Sequence, residues 1–324
     1  MYFSEDDIKQ KPTITISKSC SKSQMPSGEE TPVVTIESDD FNEESRTETI
    51  SPRPHRHWLV IVVSVLSTVL FFIILGFGYI FYRTYINIGV PVSVKSDENI
   101  AKLQIPAKKT TPGVVMTGDS ILGVGLNFYE LRGLKAEISF TRPDTADADV
   151  YLYSRSSDFS SFDPKTNQYL GSMVVAGREM PSFRSRIGYC AMANDNVVIG
   201  VARDEKVKDY CVKRKGYFFR QFVLVSDGVL PSRFYLHGKV ERRALGRMGN
   251  KLYYIESRNP EALWAFADAI REYGFTDAIY ITGGSDHAFY RTSDGKCHTI
   301  GSAAPQEDMR RGEGIVPWLV FKKR

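Results

Sequence analysis

The chain has 324 residues, of which 42% are hydrophobic and 25% charged, with a formal net charge of +4. Roughly 240 residues remain once a tail and a membrane span are set aside, enough to bury a core without a metal or disulfide. Five histidines and four cysteines in no ligand spacing give no metal site. The basic residues are scattered and match no nucleic-acid motif, so nucleic acid is not an expected partner.

The first 57 residues are rich in Ser, Thr, Glu, Asp and Pro. Such a segment buries too little apolar surface to offset its ordering entropy, and it reads as a disordered tail. Within it Thr31–Ser38 is β-prone, either a docking peptide for a cytoplasmic partner or a chance pattern. Acidic residues exceed basic ones here by about four, which leaves an excess of about eight positive charges on the rest of the chain. That excess would attract anionic ligands such as phosphate diesters or anionic glycans, or form a solvated basic surface.

Trp58–Tyr82 is 25 residues long and carries no charge. As a helix it reaches about 37 Å, enough to cross a hydrocarbon core of about 30 Å. Trp58 at one end and Tyr79, Tyr82 and Tyr85 at the other suit the two interfaces. Arg46, Arg53 and Arg56 precede the span, while Arg83 and Lys95 follow it, a bias that favours an inside N-terminus. The expected topology is therefore a single pass through the cell membrane. The N-terminus is cytoplasmic and the C-terminal part periplasmic or otherwise extracytoplasmic.

Residues 83–113 read as a stalk and linker, with the run Ile105–Gly113 leading into the domain. From residue 114 to 324 short apolar runs alternate with glycine turns. Strands are expected at Asp149–Arg155, Asn196–Ala202, Tyr217–Gly228 and Arg233–Glu241. Arg242–Glu256 reads as a hairpin turning at Met248–Asn250. Asn259 then caps a helix with Pro260 in its first position. Leu263, Phe266, Ala267, Ile270 and Tyr273 fall on one helical face, and Gly274 ends it. Asp277–Gly284 follows as a buried strand. The pattern predicts an α+β, β-rich domain with few helices. Cys190 and Cys211 either pair across a loop of about 20 residues or remain buried thiols.

Three segments place polar groups beside glycines at strand ends: Lys213–Gln221, Arg242–Gly246 and Ile281–Arg291. Glycine lets a ligand approach backbone N–H groups, and arginine can fork onto phosphate or carboxylate oxygens. The first holds KGYFF, the second RRALG and the third YITGGS, separated by a helix in the expected place. In this order they resemble the motifs of the phosphodiester glycosidase family, which shows an NGGFF-like motif, RTAIG, and a helix and strand running into DGGGS. The resemblance implies a membrane-tethered domain that hydrolyses or binds a sugar phosphate or related anionic glycan, or a catalytically silent carbohydrate-binding or scaffold module. Lys215 stands in the place of the family's Asn, Tyr217 in that of a glycine and Thr282 in that of the Asp. Ser285 and Asp286 replace the last glycine and serine. The implied ligand-binding set is Lys215, Gly216, Arg220, Arg242, Gly283, Gly284 and Ser285. Asp286, His287 and Thr282 form the catalytic set, with Asp286 and His287 as trial acid and base.

Each of these also has a plainer reading. Arg242 could be an exposed hairpin arginine, Lys215 a solvated turn residue, Thr282 a strand end, Asp286 a loop cap and His287 a surface histidine. Arg243, next to Arg242 in a strand, points to the opposite face, so one of the two lines a pocket. No nucleophile elbow, P-loop or dinucleotide fingerprint is present, and no cofactor is expected.

Overall fold

A computed structural model describes residues 55–82, 95–107, 110–157, 162–163, 165–182, 186–232, 234, 236–284, 286–301 and 316–324. The tail reading at residues 1–54, including Thr31–Ser38, lies outside them. Helix α1 (His55–Phe81) begins three residues before the apolar stretch expected as a span and ends one residue before its last, Tyr82; its large apolar side chains are exposed. Over His57–Phe81 its mean hydropathy is 2.9, long and apolar enough to cross a membrane.

Helix α2 (Ser96–Gln104) forms inside the stretch read from sequence as a linker. It buries Ser96, Asn99 and Leu103 in the domain, so the folded part begins before the expected boundary at residue 114. Asn99 donates to the Tyr189 hydroxyl at 2.6 Å, and Ser96 to Asp204 at 2.9 Å.

The first strands are β1 (Gly113–Ile121), β2 (Val124–Arg132), β3 (Leu134–Ser139), β4 (Val150–Arg155), β5 (Phe162–Asp163), β6 (Gln168–Tyr169) and β7 (Met173–Val175). Next come β8 (Arg178–Glu179), β9 (Gly188–Ala193), β10 (Asn196–Val201), helix α3 (Lys206–Lys213), β11 (Tyr217–Gln221) and β12 (Val223–Val225). Then follow β13 (Lys239–Val240), β14 (Arg242–Met248), β15 (Lys251–Ser257), β16 (Glu261–Ala262) and helix α4 (Leu263–Tyr273). The chain ends with β17 (Asp277–Gly283), β18 (Ala288–Arg291), β19 (Cys297–Ile300) and β20 (Trp318–Lys323).

Three antiparallel sheets surround one core. The first runs β1-β2-β15-β14-β17-β12, the second β10-β9-β11-β7-β8 and the third β19-β18-β4-β20-β3. Tyr129, Leu245, Tyr254, Ile279 and Ile281 from the first sheet meet Cys190, Met192, Ile199 and Phe219 from the second, and Ile138, Leu152, Tyr290 and Leu319 from the third. The opposite face of the first sheet is covered by Leu263, Phe266, Ala267 and Ile270 of α4. Helices α2 and α3 cover the second sheet through Leu103, Val207 and Cys211. The central strands β14 and β17 of the first sheet are thus buried on both faces, and their period-2 alternation is one apolar surface against another. Cys190 belongs to the inner cluster and Cys211 to the outer one, and both are free thiols.

Three elements depart from the sequence pattern. The helix expected from Pro260 begins at Leu263, because Val240 and Lys239 pair with Glu261 and Ala262 and hold them extended. Of the strand expected at Arg233–Glu241, β13 is what the described residues carry. The expected strand Tyr217–Gly228 divides into β11 and β12, which belong to different sheets. Gly274 ends α4 in the left-handed region at φ 110°, as its position suggests.

The glycine of the RRALG segment serves packing. A Cβ on Gly246 would lie 2.7 Å from Cδ1 of Phe275 and 2.8 Å from Cδ1 of Ile255. Gly246→Ala should therefore destabilise the domain by about 1–3 kcal/mol, read as a lower urea midpoint in pulse proteolysis of the detergent-solubilised chain. An unchanged midpoint would contradict this packing role.

Candidate functional site

At one end of the hairpin β14–β15 the register places Arg243 directly opposite Glu256. Arg243 is wholly buried, at 0% exposure, although it is among the largest side chains in the domain. Its Nη2 lies 3.6 Å from Glu256 and 4.0 Å from Glu241, beyond hydrogen-bond distance in both cases. Among the described residues no acceptor bonds Nε, Nη1 or Nη2 of Arg243. Burial alone would lower its pKa, but Tyr254, Glu256, Asp286 and Glu241 around it carry it above its ordinary value. The charge is kept.

Glu256 is buried as well. Its Oε2 accepts from the Tyr129 hydroxyl at 3.0 Å and from Asn127 at 3.4 Å. Burial raises its pKa above the ordinary 4.5, and Arg243, Asn127 and Tyr129 only partly offset this. Tyr129 packs edge-on against Tyr254 and Tyr290, at 5.7 and 4.9 Å between ring centroids. The Tyr254 hydroxyl is 3.0 Å from Ser154 Oγ on β4, joining the first sheet to the third. The centre is therefore a polar inclusion between two sheets, walled by tyrosine rings.

The segment after β17 completes it. The Thr282 hydroxyl bonds Asp286 Oδ2, and Asp286 contributes to the field at Arg243. His287 is buried, with Nε2 3.4 Å from Nη2 of Arg142 and 3.5 Å from the Tyr153 hydroxyl. An arginine N–H can only donate, so in that contact the ring nitrogen accepts. Arg142 also donates to the Tyr153 hydroxyl at 2.8 Å. Gly301 crosses the centre at φ 91°, where a Cβ would stand 2.5 Å from Nη2 of Arg243. Only a residue without a side chain fits there.

The other expected site residues have different surroundings. Arg242 donates through Nε to the Glu261 carbonyl at 3.0 Å and through Nη2 to the Gly238 carbonyl at 2.8 Å, with its guanidinium over the Tyr280 ring. It ties β14 to the β13–β16 pair. Arg220 lies on β11 in the second sheet and donates to the carbonyls of Ala202 at 2.6 Å and Asp204 at 2.7 Å. Lys215 is an exposed turn residue at φ 54°, and Gly216 packs against the Met192 carbonyl. Gly283 backs onto the Glu241 carbonyl, while the Gly284 N–H donates to it at 2.8 Å. Ser285 lies outside the described residues. The RRALG and TGGSDH segments thus meet through the pairing of β14 with β17, and the KGYFF segment belongs to another sheet.

Sequence reasoning assigned the site to Arg242 rather than Arg243 and passed over Glu256, Tyr129, Tyr254 and Tyr153. One signal was available. A hairpin turning at Gly249–Asn250 pairs Met248 with Lys251, and counting outward pairs Arg243 with Glu256.

Because the folded state binds the Glu256 proton more tightly than the unfolded chain, this group's contribution is full below pH 4.5 and is lost as pH rises through the folded value. Glu256→Gln should therefore gain stability relative to wild type as pH rises from 4.5 toward neutrality, measured by thermal melting across that range. Parallel curves for the two proteins would contradict a buried, proton-favouring Glu256.

No family model matches the chain, and no curated protein matches it in sequence. Among solved structures it is similar to the catalytic domain of zebrafish N-acetylglucosamine-1-phosphodiester alpha-N-acetylglucosaminidase, auto-inhibited by its pro-peptide. That overlap has a TM-score of 0.47 at 14% identity and covers 68% of this chain and 87% of that one. It is also similar to a hypothetical protein from Synechocystis, with a TM-score of 0.45 at 8% identity over 65% of this chain and 62% of that one. Both overlaps record a distant structural likeness and say nothing of activity.

Proposed function

We propose that the chain is a membrane-anchored, envelope-exposed domain of the phosphodiester glycosidase type that acts on or binds a sugar phosphate or related glycan. The supporting observation is the pair of carboxylic acids in unlike environments around Arg243. Burial biases Glu256 toward its protonated form, while Asp286 accepts a hydrogen bond from Thr282. Glycoside cleavage needs this division, one acid to protonate the leaving oxygen and one carboxylate as base or nucleophile. Glu256 takes the first role and Asp286 the second, with His287 beside Asp286 in sequence as a further proton carrier. Anchoring is supported by the uncharged, exposed apolar run from Trp58 to Phe81 in α1.

A second reading, a catalytically silent carbohydrate-binding or scaffold module, is favoured by a separate observation. The Gly284 N–H and the Arg242 and Arg220 guanidinium groups already donate to protein carbonyls. Fewer donors are then left for a transition state than the motif order implies.

The test is hydrolysis of model sugar phosphodiesters by the full chain in detergent. Asp286→Ala and Glu256→Gln should each lower kcat/KM by about 100-fold or more. Equal rates in wild type and both variants would eliminate the catalytic assignment. Saturable sugar binding without turnover would establish the second reading in its place.

A further inference from the structure

We infer that Arg243 is the residue that recognises an oxyanion, receiving a phosphate group of the ligand where the first and third sheets meet. This deepens the carbohydrate reading, since it rests on the same centre being the ligand site. An arginine left in a protein interior without hydrogen-bond partners is costly, and its donors are ordinarily all satisfied. Here the side chain is at 0% exposure, and no acceptor among the described residues bonds Nε, Nη1 or Nη2.

Two carboxylates stand near enough to close that gap and do not. Glu256 is held 3.6 Å away because Oε2 is engaged by Tyr129 and Asn127. Glu241, from the strand-entry position just before β14, remains at 4.0 Å. Both carboxyl groups stay within ion-pair range of the guanidinium without hydrogen-bonding it. The Gly301 backbone packs closely against the fork, since a Cβ there would stand 2.5 Å from Nη2.

The geometry of the donors selects the ligand class. A guanidinium fork offers parallel N–H groups and accepts nothing, so a sugar hydroxyl engages one donor and leaves the others bare. A tetrahedral phosphate presents several oxygens and meets the fork bidentately. Repulsion from two of the neighbouring acids is limited, because Glu256 is biased toward its neutral form and one Asp286 oxygen is occupied by Thr282.

The experiment titrates the full chain in detergent with inorganic phosphate, a sugar phosphate and neutral N-acetylglucosamine, reading melting temperature and calorimetric affinity. Arg243→Lys keeps the charge and removes the fork. Arg243→Met combined with Glu256→Gln removes both charges at similar volume and guards against simple misfolding. Inorganic phosphate and the sugar phosphate should both stabilise wild type. Arg243→Lys should weaken both at least tenfold and leave the neutral sugar unchanged, and the double variant should melt cooperatively without responding to phosphate. Equal phosphate affinity in wild type and Arg243→Lys, or no response in wild type, would overturn the proposal. Phosphate binding that needs Arg243, in a protein that never turns over a sugar diester, would keep this site and refute only the hydrolase reading. Sugar turnover indifferent to Arg243→Lys would do the reverse.

Discussion

A guanidinium enclosed in a protein interior dictates what surrounds it, and Arg243 sets the terms for this domain. Its charge has to be balanced, which accounts for carboxylates on three sides from Glu256, Glu241 and Asp286. Those carboxylates in turn need hydrogen-bond donors, supplied by Tyr129 and Asn127 for Glu256 and by Thr282 for Asp286. The tyrosines that donate are wide enough to wall the centre off from the aliphatic core. These requirements recruit residues from β2, β15 and β17 of the first sheet and from the segments just before β14 and β18.

The sheets make such an inclusion possible. The first sheet is covered by α4 on one face and by two other sheets on the other, and its inner face contributes buried apolar residues to the shared core. A polar group at the end of β14 and β15 sits where the aliphatic side chains give way to hydroxyls and carboxylates. The low dielectric behind it strengthens any interaction made there. The second sheet, with α2 and α3 packed on its outer face, keeps its arginine for another purpose: Arg220 gathers the carbonyls of the loop before α3. Arg220 and Arg243 thus differ in degree: Arg220 donates to backbone through both Nη atoms, and Arg243 through none of its nitrogens.

Much of the architecture was legible because local chemistry and tertiary packing agreed. The uncharged run of α1, the hairpin turn at Gly249–Asn250, the apolar stripe of α4 and the left-handed Gly274 all carry their own signals. The start of α4 was misplaced because Glu261 and Ala262 are held by a partner strand that no local pattern announces. Helix α2 was missed because a short polar segment gains its order from Leu103 and Asn99 docking onto distant residues. The site failed in a more specific way. Alternation separates Arg242 from Arg243, but with both faces of β14 buried it cannot say which face holds the polar centre. Arg242, in the motif position, is spent on the β13–β16 pair, and its neighbour turns inward.

The most direct measurement is the nitrogen-15 spectrum of the arginine side chains in the detergent-solubilised chain. Arg243 Nε–H should appear as a solvent-protected resonance, identified by its loss in Arg243→Lys, and it should shift progressively as inorganic phosphate is added. A resonance that stays fixed throughout the titration would contradict a guanidinium placed to receive an oxyanion.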